Sequence, residues 1–248
     1  MSKTIALISG ANQGIGLAAA TRLAREFGYQ VIIGSRNAEN GAKEATKLQT
    51  EGLAVDSVQL DLTSDESIER AADYISSKYG KLDVLVNNAG ILIDVGVANA
   101  NPELPTRELF EKTFSTNVTG TACLTEAMIP LLRKSDQRPR LVFVSSIMGS
   151  ITESLDQTSA WYEGEYRAYD ASKAAANMLA VNYNRILRDV RARVNVACPG
   201  LVATNLTKYT AYGGTPEDGA RRIVQLATLA EDDETTGTFS NVHGGIAW

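Results

Sequence analysis

The sequence predicts an α/β protein with a doubly wound, mostly parallel sheet and helices on both faces. Short β-branched apolar runs alternate with longer helical patterns along the chain. Several of these runs are continuously apolar, which is typical of strands covered on both faces. The strand–helix–strand alternation favours parallel strands joined by right-handed crossovers. We therefore expect one sheet of about seven strands.

The individual elements follow from the same pattern. The predicted strands lie at residues 4–9, 30–35, 55–62, 82–89, 140–146, 193–199 and 238–244. The predicted helices lie at 15–27, 38–50, 65–79, 107–134, 166–189 and 216–230. Pro216 suits the first turn of the last helix. Since no linker, low-complexity stretch or repeat divides the chain, we predict a single domain over residues 1–248.

Charge and hydropathy narrow the class of partner. The net charge of −5 and the pI of about 5.1 leave no basic surface typical of nucleic-acid binding. No apolar run approaches the length of a membrane span, so we expect no membrane partner. The opening stretch "MSKTIALISG" runs directly into a glycine-rich turn. We interpret it as a first strand rather than a signal peptide.

The cysteine and histidine content predicts no metal site. Cys123 and Cys198 are far apart and fit no metal-ligand spacing, and His243 is the only histidine. Two buried free thiols suit a reducing compartment, so we predict a cytoplasmic location.

The first predicted strand ends in "SGANQGIG", which contains Gly10, Gly14 and Gly16. Glycines at these positions allow a sharp turn and let backbone N–H groups approach a phosphate. A helix begins at the same place, and its amino end favours an anion. A glycine triplet alone is a weak signal, but its position between a first strand and a helix predicts a dinucleotide site.

Further motifs appear in order along the chain. They are Asp61 and Leu62 after the third strand, "NNAG" at 87–90 after the fourth, Asn117 in "STNVTG", Ser146 in "VSSIMG", "YDASK" at 169–173, and "PGLVAT" at 199–204. Together with the G-x-x-x-G-x-G spacing, they make essentially the whole chain resemble the short-chain dehydrogenase/reductase family. The resemblance implies a single-domain Rossmann-type fold.

The resemblance also implies a set of residues that bind a nicotinamide cofactor. They are Gly10, Asn12, Gln13, Gly14, Ile15, Gly16, Ser35, Arg36, Asp61, Leu62, Asn88, Ala89, Gly90, Tyr169, Lys173, Pro199, Gly200, Val202 and Thr204. The second strand ends in "GSRN" and has no aspartate to accept bonds from a ribose 2′-hydroxyl. Arg36 instead provides a guanidinium for a 2′-phosphate. We therefore predict NADP(H) rather than NAD(H).

Four residues are candidates for catalysis. Tyr169 and Lys173 are four positions apart and share one helix face. A nearby positive charge lowers the pKa of a tyrosine, which suits a general acid. Ser146, at the end of the fifth strand, suits stabilisation of developing alkoxide charge. The resemblance implies that Lys173 also holds the nicotinamide ribose and that Asn117 holds a water linking Lys173 to solvent.

The main departure from the family lies between Ser146 and Tyr169, where many members have a shorter connection. The extra residues form an insert around 147–165, and with Trp248 they resemble the carbonyl-reductase branch. Candidate residues for the substrate pocket are Ile147, Met148, Trp161, Tyr162 and Tyr209. Two interpretations stay open: a lid over the substrate, or a surface loop packed by its own aromatic residues. The insert also leaves the subunit number open between monomer and homo-oligomer.

Three functions follow as hypotheses. The first is NADPH-dependent reduction of a small-molecule carbonyl, reversible as oxidation of an alcohol. The second is reduction of an imine or a secondary-metabolite intermediate at the same site. The third is a non-catalytic NADP(H)-binding regulator, which the presence of all four candidate catalytic residues disfavours.

Overall fold

The computed structural model describes residues 3–94, 104–159 and 161–248. These residues contain one eight-stranded sheet of order β3-β2-β1-β4-β5-β6-β7-β8. The strands are β1 (Ile5–Ser9), β2 (Gln30–Ser35), β3 (Val55–Gln59), β4 (Val84–Asn87), β5 (Arg140–Val144), β6 (Arg193–Ala197), β7 (Phe239–Asn241) and β8 (Gly244–Gly245). All neighbouring strands pair in parallel except β7 and β8, which are antiparallel. The expected doubly wound parallel sheet is confirmed.

The helices divide between the two faces of the sheet. They are α1 (Gly14–Phe27), α2 (Ala38–Thr50), α3 (Asp65–Tyr79), α4 (Thr106–Phe114), α5 (Thr121–Leu132), α6 (Ile151–Ser154), α7 (Arg167–Ile186) and α8 (Pro216–Ala227). Helices α1, α2 and α8 pack on one face, and α3, α5 and α7 on the other. In the described ranges no helix has both the length and the hydropathy needed to cross a membrane.

The central strands are apolar on both sides because both sides are covered. Along β1, Ile5 and Leu7 pack into one hydrophobic cluster, whereas Ala6 and Ile8 pack into the opposite one. All five residues of the strand are buried. This is the physical reason why the run is continuously apolar and does not alternate.

The connection order of the sheet reverses at β1, which pairs with both β2 and β4. In open α/β sheets, ligands bind beyond the carboxyl ends of the strands at such a reversal. The glycine turn follows β1 and the "NNAG" stretch follows β4. The fold therefore brings these two motifs to the same crevice.

The last predicted strand, 238–244, is divided into two, so the sheet has eight strands instead of about seven. The side-chain Oδ1 of Asn241 accepts hydrogen bonds from the N–H groups of His243 and Gly244, at 2.8 and 3.1 Å. Gly244 has a φ of 145°, which favours glycine. These local bonds turn the chain back on itself and form a short hairpin.

The predicted helix over 107–134 is interrupted by a π-helical stretch at Ser115–Gly120. Gly120 lies against the chain of Leu62, where a Cβ would come within 2.1 Å of the Leu62 carbonyl oxygen. Pro130 lies in the last part of α5 without ending the helix. Wide turns of this kind occur often at functional sites, and this one contains Asn117.

Candidate active site

The glycine turn after β1 has the backbone that its sequence predicts. Gly10 and Gly14 both lie in the left-handed region, with φ of 64° and 55°. At Gly16 a Cβ would come within 2.5 Å of the Asn88 amide nitrogen and 2.7 Å of the Gly10 carbonyl oxygen. The turn is therefore restricted to glycine at these points by conformation and by space.

The side chains of Ser9 and Asn88 lock this turn to the segment after β4. The Ser9 hydroxyl accepts hydrogen bonds from the N–H groups of Asn88 and Ala89, both at 3.0 Å. The Asn88 amide donates to the carbonyls of Ser9 and Gly10, at 2.9 and 3.3 Å. The Asn88 side chain thus has a bracing role, and its predicted cofactor contact stays a prediction. Asn87 is also a brace, since it donates to Thr125 at 2.9 Å.

The amino end of α1 differs from that of three other helices. Asn37, Ser64 and Thr215 cap α2, α3 and α8 with side-chain hydrogen bonds. Gln13 makes no such bond at the start of α1, and the first turn has no acidic residue. The first N–H groups of α1 are thus open to an anionic ligand.

A cleft of about 670 Å³ lies at the same end of the sheet. Its lining residues are Arg36, Thr63, Ile91, Leu92, Ile93, Leu104, Glu111, Lys112, Ser115, Thr116 and Lys208. We call it the basic cleft, because three cations line it and one carboxylate does. Lys112 pairs with Glu108 at 2.5 Å. Arg36 and Lys208 are exposed, and neither has an ion-pair partner among the described residues. Ile91, Leu92, Ile93 and Leu104 belong to the segment after β4, of which residues 95–103 lie outside the described ranges.

Three predicted cofactor residues near this cleft already have partners within the protein. Ser35 is buried and its hydroxyl donates to the Asn37 carbonyl at 2.7 Å. One carboxylate oxygen of Asp61 accepts from the N–H and the hydroxyl of Thr63, at 2.9 and 2.8 Å. Leu62 is buried against the helix that contains Gly120. Arg36, by contrast, makes no side-chain hydrogen bond or ion pair with the described residues.

The segment after β6 meets the glycine turn. Gly200, which follows Pro199, has a φ of 74°. A Cβ on Gly14 would come within 3.3 Å of the Thr204 side chain. A Cβ on Gly219 would come within 2.7 Å of Val202 and 3.1 Å of Ile15. The structure thus brings the predicted cofactor residues of 199–204 next to those of 10–16.

Tyr169 and Lys173 lie side by side on α7 and are both buried. The Lys173 ammonium is 5.5 Å from the centre of the Tyr169 ring and donates to the Val144 carbonyl at 3.0 Å. A Cβ on Gly90 would lie 3.5 Å from the same nitrogen. The pair is therefore held between the ends of β4 and β5, beside the "NNAG" segment.

The electrostatics of this pair differ from the expectation that Lys173 lowers the pKa of Tyr169. Burial raises the pKa of Tyr169 above its ordinary value, and a hydrogen bond with Ser146 opposes that shift. Burial also lowers the pKa of Lys173 to about 8. Burial is the largest cause of both shifts, so desolvation outweighs the proximity of the two groups. The phenol therefore keeps its proton at neutral pH.

Asn117 lies in the π-helical stretch and joins three segments. Its Oδ1 accepts from the Ile91 N–H at 2.8 Å, and its Nδ2 donates to the Ile91 carbonyl at 2.9 Å. The same Nδ2 is 3.0 Å from the Ser172 hydroxyl oxygen. Asn117 therefore fixes the segment after "NNAG" to the helix that carries Tyr169.

Ser146 lies two residues after the end of β5, and its hydroxyl accepts a hydrogen bond from the Met148 N–H at 3.2 Å. It is partly exposed, whereas Ser145 is buried and lies 3.4 Å from the Lys173 carbonyl oxygen. The two serines thus face different surroundings, and Ser146 is the one next to Tyr169.

Asp94 is a site residue that the sequence patterns did not reveal. It is only 1% exposed. Its carboxylate accepts hydrogen bonds from the N–H groups of Ala168 and Tyr169, at 2.8 and 3.2 Å. Asp94 therefore caps α7 from a segment 74 residues earlier, and no local spacing could have indicated this. It fixes the start of α7 to the wall of the basic cleft.

A second, smaller pocket of about 170 Å³ lies between the insert and the start of α7. Its lining residues are Ile147, Met148, Glu153, Ser154, Ser159, Trp161, Tyr162, Gly164 and Asp170. We call it the insert pocket. Four of the five predicted substrate-pocket residues line it. Tyr209 does not, because it lies in a turn with a φ of 54° and is 69% exposed.

The insert is attached to the carboxyl-terminal residues. The Thr152 hydroxyl donates to the Trp248 carbonyl at 2.8 Å, and the Ser150 hydroxyl donates to the Ala247 carbonyl at 2.7 Å. The Trp248 ring lies 5.6 Å from that of Phe239. These contacts hold the first part of the insert, including α6, against the last residues of the chain.

The fold and this site together define a nicotinamide-dependent oxidoreductase of the short-chain type. The family model for short chain dehydrogenases matches residues 4–212. The chain belongs to the short-chain dehydrogenase/reductase family.

Individual relatives agree with this assignment. The chain is 34% identical to a short-chain dehydrogenase, anuI, of Penicillium roqueforti, over 96% of this chain and 93% of the relative. It is 30% identical to carbonyl reductase [NADPH] 1 of Mus musculus, over 94% of each. A short chain dehydrogenase structure from Escherichia coli, complexed with NADPH, is 29% identical, with a TM-score of 0.79 and 97% of each chain covered. The predicted resemblance to the family and its carbonyl reductases is thereby confirmed.

Proposed function

We propose that this protein is an NADPH-dependent reductase of ketones or aldehydes, with Tyr169 as the general acid. The observation that carries the proposal is the convergence of Ser146, Tyr169, Lys173 and Asn117 beside Gly90. These groups come from β5, α7 and the π-helical stretch. A protein that only bound a dinucleotide would have no need of a buried phenol paired with a serine hydroxyl.

The residues present fit an NADP(H) cofactor. The open amino end of α1 and the positive-φ glycines suit the pyrophosphate. The unpaired Arg36 guanidinium suits the 2′-phosphate. When bound, the nicotinamide supplies the hydride that a carbonyl reduction requires. The relatives include a carbonyl reductase whose name specifies NADPH, which supports the same preference.

The proton for the reduction would come from Tyr169. Since even an unshifted phenol is protonated at neutral pH, and burial raises the pKa of Tyr169 further, the phenol holds the proton that the reduction would need. The Ser146 hydroxyl suits a hydrogen bond to the substrate oxygen, where negative charge develops. The bond to the Val144 carbonyl holds the Lys173 ammonium in place, 5.5 Å from the centre of the Tyr169 ring. Asn117 holds the Ile91 segment in place and so preserves the spacing between α7 and the cofactor side of the crevice.

The substrate class in this proposal is a small molecule with a ketone or aldehyde group. We further propose a cytoplasmic location, supported by the two free thiols of Cys123 and Cys198.

The direct test follows the loss of NADPH absorbance with a panel of aromatic and aliphatic ketones and aldehydes. We expect turnover with NADPH and much slower turnover with NADH at equal concentration. Tight NADPH binding without turnover of any carbonyl would contradict the proposal and favour the non-catalytic regulator.

A further inference from the structure

The insert pocket differs from an ordinary apolar substrate pocket in the charges on its wall. Glu153 and Asp170 are its ionisable lining residues besides the phenol of Tyr162, and no described lysine or arginine lines it. The pocket therefore presents carboxylates without a compensating cation. Such a wall favours a ligand with a positive charge.

Asp170 is the group that lacks a partner. Its Oδ1 is fully buried and forms no hydrogen bond with any described residue. A buried polar atom without a partner costs free energy, and a charged one costs more. Burial, together with the nearby Asp94, raises the pKa of Asp170 to about 7. A cationic group in the pocket would offset the unfavourable charge of this carboxylate.

The carboxyl of Asp94 cannot serve as that partner. It is already occupied by the N–H groups of Ala168 and Tyr169 and adds negative charge beside Asp170. No ion pair to Asp170 exists among the described residues. Two carboxyls, those of Asp94 and Asp170, therefore lie at the start of α7.

The lining of the pocket is also aromatic. Trp161 and Tyr162 line it, and Tyr162 is 42% exposed. The faces of tryptophan and tyrosine attract cations such as ammonium groups. A carboxylate combined with aromatic walls is therefore a setting for an alkylammonium group and not for an anion.

The pocket is also adjacent to the reacting groups along the chain. Asp170 directly follows Tyr169, and Ile147 and Met148 directly follow Ser146. A substrate whose carbonyl oxygen contacts Ser146 and Tyr169 has its remaining atoms beside the insert. With a volume of about 170 Å³, the pocket suits one small head group and not a whole substrate.

We propose that the insert pocket binds the ammonium group of amine-bearing carbonyl substrates, with Asp170 as its anionic partner. This inference rests on the proposed reductase function. It assigns a substrate class to the insert: ketones or aldehydes with a protonated amine a few bonds from the carbonyl.

The test uses two ketones of the same shape. 4-(Dimethylaminomethyl)acetophenone is cationic at neutral pH, and 4-isobutylacetophenone has carbon in place of the nitrogen. We expect the wild-type enzyme with NADPH to favour the cationic ketone at least ten-fold in kcat/KM. In Asp170→Asn this preference should fall at least ten-fold. Equal preference in the wild type, or an unchanged preference in Asp170→Asn, would overturn the inference.

Glu163→Gln is the matched control. Glu163 is exposed in the same insert, does not line the pocket, and loses the same charge in this variant. Its preference for the cationic ketone should stay within two-fold of wild type. Trp161→Leu removes the aromatic wall, so it should lower the preference several-fold while leaving Asp170 in place. A drop in Glu163→Gln as large as in Asp170→Asn would mean that general charge is responsible and would refute a specific site.

A binding experiment separates this inference from the proposed function. Protonated N,N-dimethylbenzylamine is titrated into the full-length protein and followed by tryptophan fluorescence and by NMR. We expect saturable binding in the wild type and at least ten-fold weaker binding in Asp170→Asn. Binding without turnover of any carbonyl would contradict the reductase function and support the site. Turnover of neutral ketones without amine binding would support the reductase function and contradict the ammonium site.

Discussion

The basic cleft and the insert pocket have opposite chemistry. The basic cleft is large and lined by Arg36, Lys112 and Lys208. The insert pocket is small, aromatic and acidic, with Glu153 and Asp170 on its wall. A net charge of −5 for the chain indicates neither property. The loops beyond the strands therefore give the two cavities local charges of opposite sign, which favour ligands of opposite charge.

Helix α7 connects the two regions. Asp94 fixes its start to the wall segment of the basic cleft, and Asp170 on the same first turn faces the insert pocket. Tyr169 lies between these two carboxyls, with its hydroxyl at Ser146. A helix that contacts both regions holds the Tyr169 phenol at a fixed place relative to each of them.

Tyr169→Phe tests the group between the two regions and should have the largest effect. Loss of the phenol hydroxyl removes the general acid, which contributes roughly 10²–10⁴-fold to the rate. We expect kcat to fall by about that factor, whereas the Kd of NADPH stays within about three-fold. Steady-state kinetics and fluorescence titration measure the two quantities. Full activity in this variant would eliminate Tyr169 as the acid.

Arg36→Asp tests the basic cleft. The guanidinium is exposed and unpaired among the described residues, so its loss should cost the bonds to a 2′-phosphate. We expect the Kd of NADPH to rise on the order of 100-fold, since charge-assisted bonds are replaced by repulsion. The Kd of NADH should change little.

Lys43→Glu is the control for this variant. It reverses an exposed charge on α2 that does not line the basic cleft, and the NADPH/NADH affinity ratio should stay at the wild-type value. If Arg36→Asp weakens both cofactors equally, the guanidinium does not distinguish them by the phosphate.

Asp94→Ala tests the link between the regions. It leaves the N–H groups of Ala168 and Tyr169 without their acceptor. Losses of helix caps cost about 1–2 kcal/mol, so Tm should fall by roughly 2–8 °C for a chain of this size. The Tm of Asp94→Asn, which keeps one acceptor oxygen, should lie between those of the wild type and Asp94→Ala. Thermal unfolding followed by circular dichroism measures this, and an unchanged Tm would show that the cap contributes no stability.

Asp170→Asn tests the insert pocket through stability and should give the smallest effect. The folded protein raises the pKa of Asp170 from 3.8 to about 7, so its ionisation disfavours the folded state. This penalty is absent below pH 4, grows between pH 4 and 7, and is complete above pH 7. Because the side chain is partly exposed and solvent screens its charge, we expect this penalty to be about 1 kcal/mol above pH 7.

At pH 8, Asp170→Asn should therefore unfold roughly 2–4 °C above the wild type. The gap should narrow as the pH falls from 7 towards 4. A constant gap across this range would mean that the carboxyl does not titrate in the folded protein with a raised pKa.

The parts of the fold that the sequence predicted best are those set by local pattern. The bounds predicted for β2, α2 and α3 match the structure residue for residue. Helices α2 and α3 have capping residues, Asn37 and Ser64, next to their first turns. The ends of β4 and β5 were predicted too long, because the predicted strands continue to residues 89 and 146, whereas sheet pairing stops at Asn87 and Val144. Tertiary hydrogen bonds end those strands, as the bonds of Asn88 to Ser9 and Gly10 show.

In the candidate site, too, local patterns predicted some features and tertiary contacts decided others. The glycine turn, Arg36 and the Tyr169–Lys173 spacing were all visible in short stretches of sequence. The direction of the Tyr169 pKa shift was not, because burial outweighs the neighbouring ammonium once the fold closes over both. Nor could Tyr209 be separated from the pocket residues, since a left-handed turn directs it to solvent.

The sequence by itself determined the family, the parallel sheet and the set of groups available for chemistry, because each depends on residue type and short-range spacing. The tertiary structure alone decided which of these groups are buried, paired or left without a partner. Asp94 and Asp170 are the clearest case. They are 76 positions apart, and no sequence pattern predicted a role for either. Packing makes Asp94 the cap of α7 and leaves an oxygen of Asp170 without a hydrogen bond beside the insert pocket. Burial and distant contacts set those outcomes, and neither is encoded by any local pattern.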